Sequence, residues 1–289
     1  MKNLTNILFA SALSVALISC DKSDPSANNV TLHFNNTFKD KTIVLGDANS
    51  TQASINTSAA GQTHQFSELK YVISNIRLVK TDGQEIPYNI NDLDKGATVI
   101  DHSKASTLSY VLSNIPAADY KQLKFGLGVK PELNTLDEVR FPNFYNTAGK
   151  NDTKMMWEWG TGYRFTKIEG FYDTDKKKLS IHTGSTLDGK RENQATYVPG
   201  VDAYRDITLT LPEVVLVGKA STVIYVKADF DKLLSGTTNT ITLRSGTGPD
   251  DNATPNIHTA DGMVQFVDNL GGNGKSNQSG MFSITHVKN

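Results

Sequence analysis

Apolar and polar residues alternate along most of this chain with the two-residue period of β-strands. Val30, Leu32 and Phe34 alternate with Thr31 and His33, which predicts a first strand over 30–34, with a short second one over 42–45. Residues 46–65 are polar and small and read as a long loop. In 66–80, Leu69, Tyr71 and Ile73 share one phase while Ile76 and Leu78 take the other. A slip of one residue at Ser74-Asn75 predicts a β-bulge there. Thr81-Asp82-Gly83 turns the chain into 84–90. Short strands are expected at 99–101 and 108–112. Leu123, Phe125, Leu127 and Val129 alternate most cleanly, with Gly126 and Gly128 on the other face, where a bulky group can approach the backbone.

Residues 131–152 are loop-like, and 155–170 stand out. Both tryptophans of the chain, Trp157 and Trp159, sit here two apart, on the same side of an extended segment. A Gly160-Thr161-Gly162 turn leads into an alternating strand from Tyr163 to Ile168. Residues 179–182 form a short strand with Ser180 and His182 on one face. Residues 207–211 form another, which Pro212 should stop, and 214–217 and 223–230 should join through Gly218-Lys219 as a hairpin. One helical turn is expected at 231–234. The one long helix covers 261–270, with Met263, Phe266, Val267 and Leu270 on a stripe. In the closing strand, 281–287, Phe282, Ile284 and His286 share a face. Many short strands without βαβ spacing predict an all-β fold: an antiparallel β-sandwich with long loops and one short helix near the C-terminus.

The length, 289 residues with 38% hydrophobic content, suffices for one large β domain. No repeat or second linker divides it, so the sandwich domain is read as 30–289. Lys and Arg number 29 against 30 Asp and Glu, so no basic field exists to hold nucleic acid.

The N-terminus has its own pattern. Lys2 precedes an apolar run over 7–18 that is too short to span a bilayer. The run ends in Leu17-Ile18-Ser19-Cys20, which resembles the lipobox of bacterial lipoproteins. That resemblance implies a signal peptide over 1–19, acylation of Cys20, and a flexible tether over 20–29. The membrane is then a partner through the lipid anchor, and the protein belongs to the cell envelope, periplasmic or at the cell surface. Cys20 is the only cysteine, so the folded domain has no disulfide in that oxidising compartment.

No nucleophile elbow, His-Glu-x-x-His motif, P-loop or dinucleotide fingerprint is present, and no enzyme is expected. The Asp173-Thr174-Asp175 and Asp250-Asp251 loops lack the ligand number of a known calcium loop. The six histidines carry more. Where thiols are absent, imidazole is the natural ligand for copper or zinc, and thioether sulfur favours the cuprous ion. His182 is followed by Thr183-Gly184, which leaves room for a ligand, and His286 ends an otherwise apolar strand face.

Four blocks carry a family resemblance. They are Tyr71–Leu78 within 66–79, Asn114-Ile115-Pro116-Ala117 with Tyr120 and 125–129, the Trp-Glu-Trp-Gly-Thr-Gly-Tyr block, and Ile181-His182-Thr183-Gly184. In this order they resemble the MbnP-like copper-binding proteins over nearly the whole mature chain. The resemblance implies a secreted or lipid-anchored β-sandwich that binds one copper ion, Cu(I) or Cu(II), through imidazoles and a tryptophan oxidised to kynurenine. His182 matches the family's histidine, Trp157 or Trp159 the modifiable indole, and His286 is the expected second imidazole with His258 behind it. Oxidation of the indole implies a separate Trp-oxidising partner protein. The alternative from composition is a lipid-tethered interaction module whose exposed aromatics hold a glycan or a partner protein.

Overall fold

Residues 63–80 are rich in aromatic and β-branched side chains, which suit a pleated, half-buried surface. They form the longest described strand and the spine on which the others assemble. The computed structural model describes residues 26–157, 160–190, 192–243, 256–257, 260–271 and 280–289. Cys20, Trp159 and His258 lie outside the described residues.

In chain order the first strands are β1 (Val30–Phe38), β2 (Lys41–Thr42), β3 (Asn56–Thr57), β4 (Thr63–Lys80) and β5 (Glu85–Tyr88). A helical turn α1 (Leu93–Gly96) leads to β6 (Thr98–Asp101), β7 (Ser109–Leu112) and β8 (Ala118–Leu127). After the short α2 (Pro142–Phe144) come β9 (Gly160–Tyr172), β10 (Lys177–Lys190), β11 (Asn193–Asp202), β12 (Arg205–Val217) and β13 (Thr222–Asp229). The chain ends with α3 (Asp231–Leu234), β14 (Asn256–Ile257), α4 (Ala260–Leu270) and β15 (Phe282–Lys288).

Two sheets face each other. The smaller runs β15-β13-β1-β2, with β7 also on β1; the larger runs β11-β10-β9-β4-β8-β12, with β3, β5 and β6 on β4 and β14 on β10. Pairing is antiparallel except for β1 with β13 and β10 with β14. This is the all-β sandwich that the alternation predicts. The expected bulge is present: β4 shifts register on β8 between Ser74 and Arg77, and Asn75 takes a φ of 48°. Asparagine reaches that left-handed region more readily than most residues. The expected bulky groups are present too. A Cβ on Gly126 would come 2.5 Å from the Tyr204 ring, and one on Gly128 would come 2.4 Å from the Phe165 ring.

Two expectations fail for physical reasons. Pro212 does not end its strand. It lies inside β12, where the register on β8 jumps from Thr210 to Val215 and a missing N–H breaks no ladder bond. Nor do β12 and β13 make a hairpin. Gly218, at φ 103°, turns the chain into the other sheet, where β13 pairs with β1 and β15.

The main core lies between the sheets. Tyr71 meets Phe34 at 6.1 Å and Phe282 at 5.8 Å between ring centroids, and its hydroxyl donates to Asn36 Oδ1 at 2.7 Å. A second apolar layer forms on the outer face of the larger sheet. Residues 131–157 fold back there and bury Phe141, Phe144, Met155 and Trp157 with Tyr163 and Phe165. That outer layer builds the candidate site. Near the end of the chain, α4 buries Met263, Phe266, Val267 and Leu270, the stripe read from the sequence.

Candidate metal centre

The pairing of β9 with β10 sets Lys167 opposite His182 and Glu169 opposite Ser180. Their neighbours Ile168 and Ile181 join Leu69 in the core between the sheets. The polar four therefore project from the other face, away from the smaller sheet. Across the pair, Glu169 Oε1 lies 2.5 Å from His182 Nε2. Ser180 Oγ stands 3.2 Å from the same carboxylate oxygen and 3.3 Å from the same ring nitrogen. A carboxylate only accepts, so Nε2 carries the ring proton and the lone pair of the neutral imidazole sits on Nδ1.

The surroundings keep this imidazole neutral. Burial pushes the His182 pKa down, and Arg164 and Lys167 add to that effect, while Glu169 pulls in the other direction and does not cancel it. For Glu169, burial works upward, but the hydrogen bonds from His182 and Ser180 and the charge of Lys167 hold the carboxyl below its ordinary value. Further along the same face, buried Lys167 pairs with Glu68, and Lys70 bridges Glu68 at 2.7 Å and Asp101 at 3.7 Å. The charges thus alternate from β6 across β4 and β9 to β10.

Trp157 covers His182. Their rings meet edge to face at 6.4 Å between centroids, and both residues are buried. Trp157 reaches this position because residues 155–157 pair with residues 162–164. Trp157 N donates to Gly162 O at 2.9 Å, and Arg164 N donates to Met155 O at 2.6 Å. On β10 the register shifts between Thr183 and Ser185, and Gly184 at the shift leaves space for the indole.

The other predicted ligands are distributed differently. His286 does not converge with His182. It is exposed on the outer face of the smaller sheet, stacked on Tyr225 at 4.0 Å. The expected shared face with Phe282 and Ile284 fails because β15 shifts register on β13 between Tyr225 and Val226, which turns Val287 inward in place of His286. The whole sandwich therefore separates the two imidazoles, which is more than the roughly 10 Å between stacked sheets. His258 lies outside the described residues, but it directly follows Ile257, whose partner on β10 is Ile181, the residue before His182. Trp159 also lies outside them, and Trp157 is the described tryptophan that meets His182.

Two other histidines have structural roles. His102 holds Ile43 O at 2.8 Å and Asn36 at 3.1 Å, and His33 bonds Ser109 Oγ at 2.8 Å. Sequence reading missed Glu169. Its only signal was its place in the strand phase of Lys167, and nothing local identifies a partner on the next strand. Among the described residues no three His, Cys, Asp or Glu side chains converge. What they supply is one buried neutral imidazole oriented by a carboxylate beneath an indole. That is the ligand form and the supporting pair that metal-binding histidines use.

The model of the MbnP family matches residues 27–258. No curated protein matches the chain. Among solved structures the chain is similar to one described as MbnP from Methylosinus trichosporium, at 14% identity, with 71% of this chain and 76% of that chain covered and a TM-score of 0.43.

Proposed function

The chain belongs to the MbnP family, and on that premise we propose that it is a copper-binding lipoprotein of the cell envelope with its metal centre at His182. The observation that carries the reading is the Glu169–His182 pair under Trp157. Glu169 occupies Nε2, so His182 would hold an ion through its other ring nitrogen. A hydrogen-bonded carboxylate raises the basicity of such a ring and fixes its orientation. The low pKa of His182 keeps the ring ready to bind without first losing a proton. The apolar wall of Trp157 limits water and favours a soft, low-coordinate ion, which suits the cuprous state. His258 is the proposed second imidazole, and His286 is no longer a candidate for the same ion. Bound copper would supply a redox-active, thiophilic cation; His182 would hold it and Glu169 would orient the ring.

The test is competition for cuprous and cupric ions between the protein and a chromophoric chelator. His182→Ala abolishes tight binding, and His258→Ala weakens it. Retention of full affinity by His182→Ala would move the site elsewhere. Envelope location rests on the Leu17–Cys20 pattern. Cys20→Ser should abolish labelling by a fatty-acid probe and release the protein from membranes.

A further inference from the structure

On a different part of the molecule, β5, α1, β7 and the turn at Asn114 enclose an open groove of about 630 Å3. This is within the size range of small-ligand sites. Its walls include Tyr88 and Tyr110, whose rings meet edge to face at 6.4 Å. Both phenol groups are tied to the backbone: Tyr110 donates to Lys95 O at 2.7 Å, and Tyr88 accepts from Ser113 N at 3.3 Å. The rings are thereby fixed, and what they offer the groove is carbon surface rather than a hydroxyl. Ile86, Pro87 and Pro116 extend that surface.

The polar groups of the groove have a definite character. Its two charged groups are opposite in sign and hydrogen-bonded or paired at the rim: Asp94 accepts from Phe144 N at 2.7 Å and Asn143 Nδ2 at 3.1 Å, and Lys95 pairs with Asp92 at 3.4 Å. Two exposed asparagines remain on the rim, Asn89 at φ 45° and Asn114 at φ 58°. Their amides make no hydrogen bond with the described residues. Each amide is both donor and acceptor.

We propose that this groove binds a neutral saccharide, with sugar C–H faces against the tyrosine and proline surface and vicinal hydroxyls on the Asn89 and Asn114 amides. The lining carries one negative and one positive group, Asp94 and Lys95, so it has no net charge, which argues for a neutral ligand. Paired donors and acceptors match hydroxyls, which also do both. A proline-rich peptide offers mainly carbonyl acceptors and would leave both asparagine carbonyls unused.

The experiment titrates the full chain with maltose, cellobiose and lactose by calorimetry, alongside a proline-rich decapeptide. At least one disaccharide should bind in the millimolar range. The double variant Asn89→Gly, Asn114→Gly should weaken it about tenfold, the scale of two lost hydrogen bonds. Glycine accepts both backbone conformations, so the thermal midpoint should hold. No heat with any of the three sugars, unchanged affinity in the folded variant, or binding of the peptide alone would each overturn the proposal.

Discussion

Gly184 lies directly beneath Trp157: a Cβ added there would stand 3.1 Å from the indole Cδ2. The closeness is what lets the indole rest on His182. Gly184→Val should push the indole away without touching the imidazole. The expected result is a red shift of tryptophan emission and about tenfold weaker copper binding, the scale seen when a supporting contact around a ligand is lost. An unmoved emission spectrum with unchanged affinity would show that the indole is not part of the centre.

Glu169→Gln removes the charge while keeping the shape. The neutral amide no longer polarises Nε2–H as a carboxylate does. Copper affinity should fall by about 10–100-fold. His286→Ala serves as the contrast. It removes an exposed ring on the opposite face of the sandwich, and copper affinity should stay at the wild-type value.

His64 makes the fold sensitive to acid. Its ring lies buried between Phe38 and Phe66, and neither nitrogen has a hydrogen-bond partner among the described residues. Burial lowers its pKa from 6.5 to about 4, against a smaller opposing pull from Asp173. Between those values the unfolded chain binds the proton and the folded chain does not, so stability falls as pH drops from 6.5 towards 4. The loss approaches about 3 kcal/mol at the lower end. The lowered carboxyls of Glu68 and Glu169 weaken the fold only as pH falls below their ordinary range, so they act later. His64→Leu should flatten the dependence between pH 6.5 and 4.5. Urea unfolding of both proteins across that interval measures it, and parallel curves would assign the sensitivity to another group.

Gly128 combines a φ of 99° with a Cβ position 2.4 Å from the Phe165 ring. Gly128→Ala meets both left-handed strain and overpacking, and should destabilise the fold by about 3 kcal/mol. Chemical denaturation at neutral pH measures this. A loss below about 1 kcal/mol would mean the outer aromatic layer yields easily.

Several features were legible because they depend on residues close in the chain. The phase slip at Ser74-Asn75 marks a bulge wherever the strand pairs. Glycines opposite Phe125 and Leu127 leave space whatever fills it, and the stripe on 261–270 needs only helical spacing. Other features were hidden because they belong to pairs of strands. Nothing in β15 announces the shift against β13 that turns His286 outward. Nothing beside Glu169 names His182, which is thirteen residues away in the chain and adjacent in space. The hairpin of β10 and β11 was not read beyond His182, since the polar residues there alternate weakly.

The chain alone determined the strand-rich sandwich, its bulge, its helix, and His182 and the tryptophan block as the chemistry to look for. Tertiary structure decided which partner each of these meets. The physical reason is the two-residue period of the β-strand. A side chain's face is set by parity, and one unpaired residue reverses it. Hydrogen bonding between distant strands decides where such residues fall, as it did when it paired Glu169 with His182 and turned His286 to the solvent.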